Sequence, residues 1–497
     1  FATCGKSIVT VDTATGAYTA GWNLSTLFSA NLVGITYLNT VNDTTNGVTD
    51  NCLVLDADGK VWAMGFYGDG DNLHCTLPQL VADLGILAAL KYTNFLITNV
   101  NALFSADIAA VDWVLPLGIS FQTVSYVIDV YWEKVEPEKN ILRVALFTSF
   151  FPLLIQGPIS RFGDLKDTLF AEHKANFKQI SFGLQRILWG YFKKLVIADR
   201  LLAAVTALCG DPATYTGAYV FIGAVLYAAE LYADFTGGID ITIGVAQVLG
   251  IKVKENFIRP YFSRNIAEYW RRWHISMGTW FKDYIFYPLS VAPWLLKLSK
   301  SARKKISDGF GRKLSVYVST IVTWFLTGLW HGAAWNFVVW GLLNAFFILL
   351  AEEFKPVSQR FRAKHERLVS GFGYRVFETL RTFLLMCSLR VLDCYRDVEV
   401  SFRALGTVFT DFNWGEAFSG ALLQLGLTGA DYLIAAVGVV IMFAVSCVQE
   451  KHGSVREVLW EKPVLCYAVF FVLAVAVLTF GAYGVGYDAA QFIYNQF

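Results

Sequence analysis

Charged residues are scarce in this sequence of 497 residues, since Asp, Glu, Lys and Arg together make up 16% of it, against about 25% in a typical soluble domain. That scarcity excludes an ordinary water-soluble enzyme. The 41 basic and 40 acidic side chains nearly balance, so there is no overall positive field to attract nucleic acid. Apolar residues make up 55% of the chain, with 40 Phe, 23 Tyr and 15 Trp, which excludes a disordered chain. This composition predicts a polytopic membrane protein.

Long runs without any charged side chain support this prediction, because about 20 apolar residues are needed to cross the bilayer core. The longest runs are residues 314–351, 432–449 and 464–487, and shorter ones occur at 113–128, 144–160, 213–229 and 241–251. An open sheet cannot satisfy its backbone in lipid, so the runs predict an all-α polytopic fold. About eight to ten crossings or half-crossings are expected.

The first 80 residues differ from the rest of the chain. They contain two basic residues, Lys6 and Lys60, against seven Asp, and residues 52–66 alternate around Asp58-Gly59 in the pattern of a β-hairpin. We therefore predict a small, polar, β-rich appendage of unknown role over residues 1–80. A multi-pass membrane domain is predicted to follow over residues 81–497.

The eight cysteines give little sign of a cross-linked or metal-binding fold. Cys4, Cys52 and Cys75 allow at most one disulfide among themselves. The other five lie in apolar stretches, where a buried thiol behaves as a small hydrophobic side chain. No CxxC or CxxH spacing occurs, so no metal site is predicted.

Two basic segments predict how the longest apolar run is arranged. Residues 297–313 carry seven basic side chains against one acidic, and residues 352–375 carry six against three, so both are expected on the cytoplasmic side. A single helix over the run between them would extend about 57 Å. That is too long for one crossing, and one crossing would leave the two ends on opposite sides. The run must therefore fold back or break, and Gly328 and Gly332 within TGLWHG are the predicted break.

Two of the six histidines are candidates for catalysis, and the other four lie among polar or charged residues as solvated side chains. His331 has no charged residue within 17 positions on either side. An ionisable side chain at membrane depth is costly and by default functional, and a neutral imidazole keeps a basic nitrogen for proton transfer. The alternative is a structural histidine that hydrogen-bonds a carbonyl group between helices.

The second candidate is His274, in the segment EYWRRWHISMGTWFKDYIFYPLS. There Arg271 and Arg272 alternate with Trp and Tyr residues, which is typical of a helix at the membrane interface, with aromatic rings at headgroup level and snorkelling cations. A histidine in such a helix is either structural or functional, and the residues alone do not decide between these roles.

Further polar residues occur in apolar surroundings. Glu230 and Asp234 are four positions apart and share a helix face, and Asp240 follows them. They either line a proton path or, as we favour, fix helix packing through hydrogen bonds. Asn256 is interpreted as structural, and Asn336 would reach the TGLWHG histidine only if the helix breaks before it. No Walker A loop, nucleophile elbow or HExxH motif is present.

The segments RPYFSRNIAEYWRRWHISMGTWFKDYIFYPL and LTGLWHGAAWNFVVWG resemble the signature of the membrane-bound O-acyltransferase family. The resemblance is to the bacterial subgroup typified by the alginate O-acetylation and teichoic-acid D-alanyl-transfer membrane proteins. Other segments match in family order, namely LPLGISFQTVSYVIDVY, FPLLIQGPISRF, WGYFKKLVIADR, DFTGGIDITIGVAQVLG and FGAYGVGYDAAQFIYNQF. Residues 1–80 match nothing in the family, and Ser290-Val291 stands where the family has Gly-Gly after Pro-Leu.

The resemblance implies acyl transfer from a cytoplasmic thioester to an acceptor at or beyond the outer face of the membrane. Acetyl-CoA or an acyl carrier protein would be the co-substrate, and no tightly bound cofactor is expected. His331 matches the family's invariant histidine and would be the general base. His274 matches its second histidine and would orient the donor or supply a hydrogen bond. An acetyl donor is favoured, and D-alanyl transfer to teichoic acid is the alternative.

The resemblance also implies a multi-pass protein of the bacterial plasma (inner) membrane. Its expected partners are the lipid bilayer, the acyl donor, a polysaccharide acceptor and an extracytoplasmic SGNH-type acyltransferase, without nucleic acid. A polysaccharide or lipid transporter is the other function class. Transporters often contain internal repeats with paired broken helices, and neither WRRWHIS nor GLWHG occurs twice in the sequence.

Overall fold

The computed structural model describes residues 117–154 and 156–483 continuously, together with shorter stretches between residues 2 and 108. Two compact units divide the chain, Phe1–Ser120 and Phe121–Phe497. Both candidate histidines lie in the second unit.

The described part of the first unit contains seven β-strands and one helix. The strands are β1 Ala2–Cys4, β2 Ser7–Val11, β3 Tyr18–Asn23, β4 Leu32–Asp43, β5 Gly47–Asp56, β6 Val61–Gly68 and β7 Leu73–Thr76, and helix α1 extends over residues 93–104. Two antiparallel sheets have the strand orders β1-β2-β3 and β4-β5-β6-β7. The predicted Asp58-Gly59 turn lies outside the described residues. The assignment of residues 1–80 to a separate appendage stays a prediction.

Over its described residues, the second unit consists of helices and connecting loops without strands, and α2 begins in the first unit and ends in the second. The helices are α2 Leu117–Tyr131, α3 Ile141–Thr148, α4 Phe162–Leu169, α5 Phe177–Tyr191, α6 Asp199–Gly210, α7 Ala218–Val248, α8 Ile266–Arg272, α9 Ile275–Phe281, α10 Tyr287–Ser290, α11 Pro293–Lys305, α12 Asp308–His331, α13 Trp335–Lys364, α14 Glu366–Ser370, α15 Phe372–Tyr395, α16 Val398–Thr410, α17 Trp414–Ala417, α18 Gly429–His452, α19 Val455–Trp460 and α20 Pro463–Phe480. Short 3-10 turns occupy Phe151–Leu153, Pro260–Phe262 and Ala421–Gln424, and π-helical stretches occupy Phe192–Ala198 and Lys282–Phe286.

Four helices within the described residues, α7, α13, α18 and α20, are long and apolar enough to cross a membrane. The most apolar stretch of α7 is 61% buried, whereas that of α20 is 11% buried, so α7 is central and α20 peripheral. The predicted all-α membrane core is confirmed. The number of eight to ten crossings stays a prediction. Helices α12 and α15 have 24 residues each, so they are about 36 Å long and exceed the bilayer core of about 30 Å.

Pairs of small residues let α5 approach the central helix α7. A Cβ atom added at Gly190 would lie 2.6 Å from the carbonyl oxygen of Gly237, and one added at Gly183 would lie 2.8 Å from that of Gly244. The absence of side chains at these points lets the two backbones touch, which is how helices associate where lipid provides no hydrophobic driving force. Gly237 therefore serves helix packing.

The predicted break in the longest uncharged run is confirmed at Gly332 but is wrong at Gly328. Helix α12 ends at His331, Gly332 is extended, and α13 begins at Trp335. A side chain at Gly332 would overlap the ring of Phe337, 2.2 Å from an added Cβ. Gly328 stays inside α12. Its missing side chain serves helix packing, because an added Cβ would lie 2.3 Å from the carbonyl oxygen of Phe337 on α13.

One prediction about the cysteines is wrong. Cys209 and Cys394, near the ends of α6 and α15, form a disulfide rather than two buried thiols. Nothing in the local sequence signals a pair separated by 185 positions. Because disulfides persist in oxidising compartments, this end of α15 is expected outside the cytoplasm, opposite its start beside the basic segment 352–375.

The contact between α5 and α7 yields a stability prediction. Gly190→Val would force a side chain against the backbone of Gly237, and such overpacking costs about 1–3 kcal/mol. Gly406→Val in α16 is the matched control, because an added Cβ at Gly406 meets no atom within 4 Å. We expect the first variant alone to lower the apparent melting temperature of the detergent-purified chain, and equal melting temperatures for both variants would contradict the packing.

Candidate functional site

The two candidate histidines meet at one indole ring. The ring centroid of Trp330 lies 5.9 Å from that of His274 and 4.8 Å from that of His331. The two imidazoles therefore lie near each other, on either side of one indole ring, although they belong to different helical elements. The structure thus brings the two histidines into one site.

The break between α12 and α13 determines the position of His331. The residue is the last of α12, and its half-buried ring lies 4.8 Å from the ring of Trp340 and stacks at 6.3 Å on Phe337, both on α13. Since the chain turns back at Gly332, α13 supplies this second aromatic wall. A continuous helix would carry Phe337 and Trp340 away from the imidazole.

The backbone at His274 has an uncommon conformation. His274 lies between α8 and α9 with φ of 46° and is 1% exposed, and the left-handed region disfavours a residue with a Cβ. Asn256 compensates by capping α9 from outside the helix. The N–H of Ile275 donates to the carbonyl oxygen of Asn256, and the N–H of Ser276 donates to its Oδ1, each at 2.9 Å.

Asn256 also orients the imidazole of His274. Its Oδ1 lies 3.3 Å from Nδ1 of the ring, and because an amide oxygen only accepts, this contact requires a proton on Nδ1 and leaves the lone pair on Nε2. Burial lowers the pKa of His274 to about 3, and the positive charge of Arg390 acts in the same direction. His274 is therefore neutral at physiological pH.

Arg390, which the linear sequence does not single out, belongs to the same cluster. Its guanidinium lies 4.6 Å from the ring centroid of Trp273 and 6.0 Å from that of Trp340, and it donates to Asp393 at 3.0 Å. The residue is 5% exposed, so its charge depends on this carboxylate and on the faces of the indole rings. Nothing in the linear sequence indicates that Arg390, on α15, lies beside the tryptophans that flank the histidines.

The carboxylates of α7 pair with cations that the sequence analysis had not connected to them. Asp240 accepts from Arg186 at 2.8 Å and from Lys193 at 2.6 Å, and Asp234 pairs with Lys194 at 2.6 Å. Both lysines are buried in the π-helical stretch after α5, which turns consecutive side chains toward α7. These ion pairs favour helix packing as the role of the two carboxylates.

The remaining predicted residues have different surroundings. Asn336 is buried and donates to the carbonyl oxygen of Leu392 at 3.2 Å, which ties α13 to α15. Arg272 pairs with Glu268 at 2.9 Å, and Glu230 is buried on α7. Arg271 is exposed. The catalytic and supporting roles of these residues stay predictions.

The arrangement suits acid–base chemistry in an aromatic environment. An imidazole in its neutral form can accept a proton from a substrate hydroxyl. Over the described residues, no group of three His, Cys, Asp or Glu side chains has the geometry to hold a metal ion.

Comparison with known proteins identifies similar chains. Residues 112–304 match the model of the membrane-bound O-acyltransferase family. The chain is 32% identical over 371 residues to the probable alginate O-acetylase AlgI of Pseudomonas putida, a match that covers 71% of this chain and 68% of the relative. It is 32% identical over 342 residues to the probable alginate O-acetylase AlgI of Pseudomonas syringae pv. tomato, covering 67% and 60%. It is 29% identical over 311 residues to a peptidoglycan O-acetyltransferase of Helicobacter pylori, covering 57% and 56%.

These matches confirm the predicted family resemblance. The chain spans less than two thirds of the length of two of these three relatives. The activities of the complete relatives belong to those proteins.

The buried pair of Arg390 and Asp393 yields a stability prediction. Arg390→Met would leave the carboxylate without its 3.0 Å partner, and breaking a buried ion pair costs about 3–5 kcal/mol. Because replacing both partners by apolar residues is often nearly neutral, Arg390→Met with Asp393→Leu should recover most of the loss in apparent melting temperature. A double variant as unstable as the single one would contradict this account.

Proposed function

The chain belongs to the membrane-bound O-acyltransferase family, and from this premise we propose that it moves an acetyl group from a thioester donor toward a cell-envelope or secreted polysaccharide. The observation that carries the proposal is the indole ring of Trp330, which contacts both candidate histidines. Relatives named alginate O-acetylase and peptidoglycan O-acetyltransferase support an acetyl donor and a cell-envelope or secreted polysaccharide as acceptor.

His331 is the general base of the proposed reaction. Its imidazole takes the proton of the acceptor hydroxyl while the oxygen attacks the carbonyl carbon of the thioester. The tetrahedral intermediate then collapses, the carbon–sulfur bond breaks, and the imidazolium returns the proton to the leaving thiolate. One ester and one free thiol result, and no oxidant, reductant or metal takes part in this sequence.

His274 orients a substrate group in this proposal. Since its Nδ1 is directed at Asn256, Nε2 accepts a hydrogen bond and cannot donate one to an oxyanion. In the proposed role, the ring helps to position the acceptor hydroxyl or the donor in line with the thioester. The contact therefore favours the orienting role over the stabilisation of an oxyanion.

A second feature supports an anionic thioester donor. A cavity of about 950 Å³ lies between α8, α12, α13 and α15, and three arginines that line it, Arg264, Arg271 and Arg381, have no carboxylate partner among the described residues. Trp270, the residue before Arg271 in the sequence, packs at 5.6 Å on Trp340 beside the proposed base. The phosphate groups of coenzyme A or of a carrier protein's phosphopantetheine arm would bind these arginines.

The proposal includes the bacterial inner membrane as the location and an extracytoplasmic SGNH-type protein as the partner that completes transfer. The family resemblance supports both. The disulfide between Cys209 and Cys394 supports an oxidising compartment at one face of the helical unit.

The base is tested by the ester content of polysaccharide from cells that express variants at matched membrane levels. His331→Gln should reduce O-acetyl esters at least about 100-fold, because a positioned general base contributes about 10²–10⁴ in rate. His452→Gln is the matched control, since His452 is exposed at the end of α18, and it should leave ester content unchanged.

Unchanged O-acetyl esters in the His331→Gln strain would contradict acetyl transfer by this residue. Loss of D-alanine from teichoic acid in the same strain, with O-acetyl esters intact, would replace the proposed donor by the D-alanyl alternative.

A further inference from the structure

A second cavity lies beside two peripheral helices. It has a volume of about 470 Å³ and lies between α5, α18 and α20. On its outer side, Ile441 of α18 and Val469 and Val472 of α20 line it, with exposed fractions of 39%, 40% and 65%. Both helices are candidate membrane spans, so this side of the cavity opens toward the acyl chains of the bilayer.

The inner end of the cavity is polar, and most of its charges are balanced. Arg186 lies 2.8 Å from Asp240 and 2.6 Å from Glu255. Arg259 pairs with Glu450 of α18. These side chains therefore form two groups in which the cations are paired with carboxylates.

Arg456 is the exception to this balance. Its Nη1 donates to two neutral oxygens, the carbonyl of Phe182 at 2.6 Å and Oε1 of Gln247 at 3.0 Å. No carboxylate lies within ion-pair distance of it over the described chain. Burial lowers the pKa of the Arg456 guanidinium and the positive charge of Arg186 acts in the same direction, against the weaker opposing effect of the carboxylates of Asp240, Glu255 and Glu457.

A guanidinium in this position favours an anion that brings its own apolar part. Arg456 has five N–H donors in a fixed plane, and the two contacts at Nη1 leave the donors of Nε and Nη2 for a phosphate, whose geometry matches that fork. The adjoining wall from α18 and α20 is apolar and open to lipid. A small soluble anion has no apolar part that could pack against this wall.

We propose that this cavity binds one anionic phospholipid, with its phosphate on Arg456 and an acyl chain between α18 and α20. Basic pockets between membrane helices recognise anionic headgroups in this way. The site differs from the proposed donor cavity, which lies between α8, α12, α13 and α15. Phe257 forms part of the wall of the lipid cavity and stacks at 6.3 Å on His274, so the lipid would lie next to the segment that holds this histidine.

The test measures lipid binding to the delipidated, detergent-purified full chain by native mass spectrometry and thermal shift. Dioleoylphosphatidylglycerol should bind and raise the apparent melting temperature, and Arg456→Gln should weaken its binding at least about tenfold through loss of charge-assisted hydrogen bonds. Arg403→Gln removes an equal charge from the exposed face of α16 and should bind the lipid as the wild type does. Equal affinity of the wild type and Arg456→Gln would overturn the proposal.

A second variant tests the apolar half without changing charge. Val472→Trp should fill the outer end of the cavity and reduce phosphatidylglycerol binding, whereas Leu478→Trp, at a 71% exposed position of the same helix, should not. Inorganic phosphate at the same concentration distinguishes the two sources of phosphate. If it stabilises the chain as much as the lipid does, or if Val472→Trp binds the lipid normally, the cavity is not a phospholipid site.

Discussion

An ionised side chain inside this helical core must find its counter-charge within the protein, because neither lipid nor bulk water is there to solvate it. Helix α7 illustrates this constraint. Its carboxylates Asp234 and Asp240 are held by Lys194 and Lys193 at 2.6 Å each. The lysines come from one π-helical stretch, and the glycine contacts between α5 and α7 bring the two backbones close enough for the side chains to meet. Charge pairing and close helix packing therefore depend on each other here.

The same constraint accounts for the character of the histidine site. The imidazoles lie among indole and phenyl rings, and His274 is neutral because burial lowers its pKa to about 3. A neutral imidazole is the form that can accept a proton. The cation Arg390, which lies close to the histidines, is balanced by Asp393 and by the faces of two tryptophans. In the proposed acyl transfer this apolar environment also protects the thioester from water.

The parts of this structure that depend on local sequence could be predicted, and the parts that depend on distant contacts could not. The break near TGLWHG followed from the absence of charge and the position of Gly332, and the family resemblance singled out both histidines. Neither argument indicated Trp330 among 15 tryptophans, or the disulfide across 185 positions. Arg390 was missed for the same reason, because only the fold shows which rings a buried guanidinium meets.

The central claim is that His274 and His331 act as one catalytic unit across Trp330. The most direct measurement is a double-mutant cycle on the initial rate of acetyl transfer from acetyl-CoA to polysaccharide, in membranes that contain equal amounts of wild type, His274→Gln, His331→Gln and the double variant. Residues that work as a unit have strongly non-additive effects, so the double variant should be no slower than the slower single variant. Losses that multiply in the double variant would show that the two histidines act independently and would contradict a shared site.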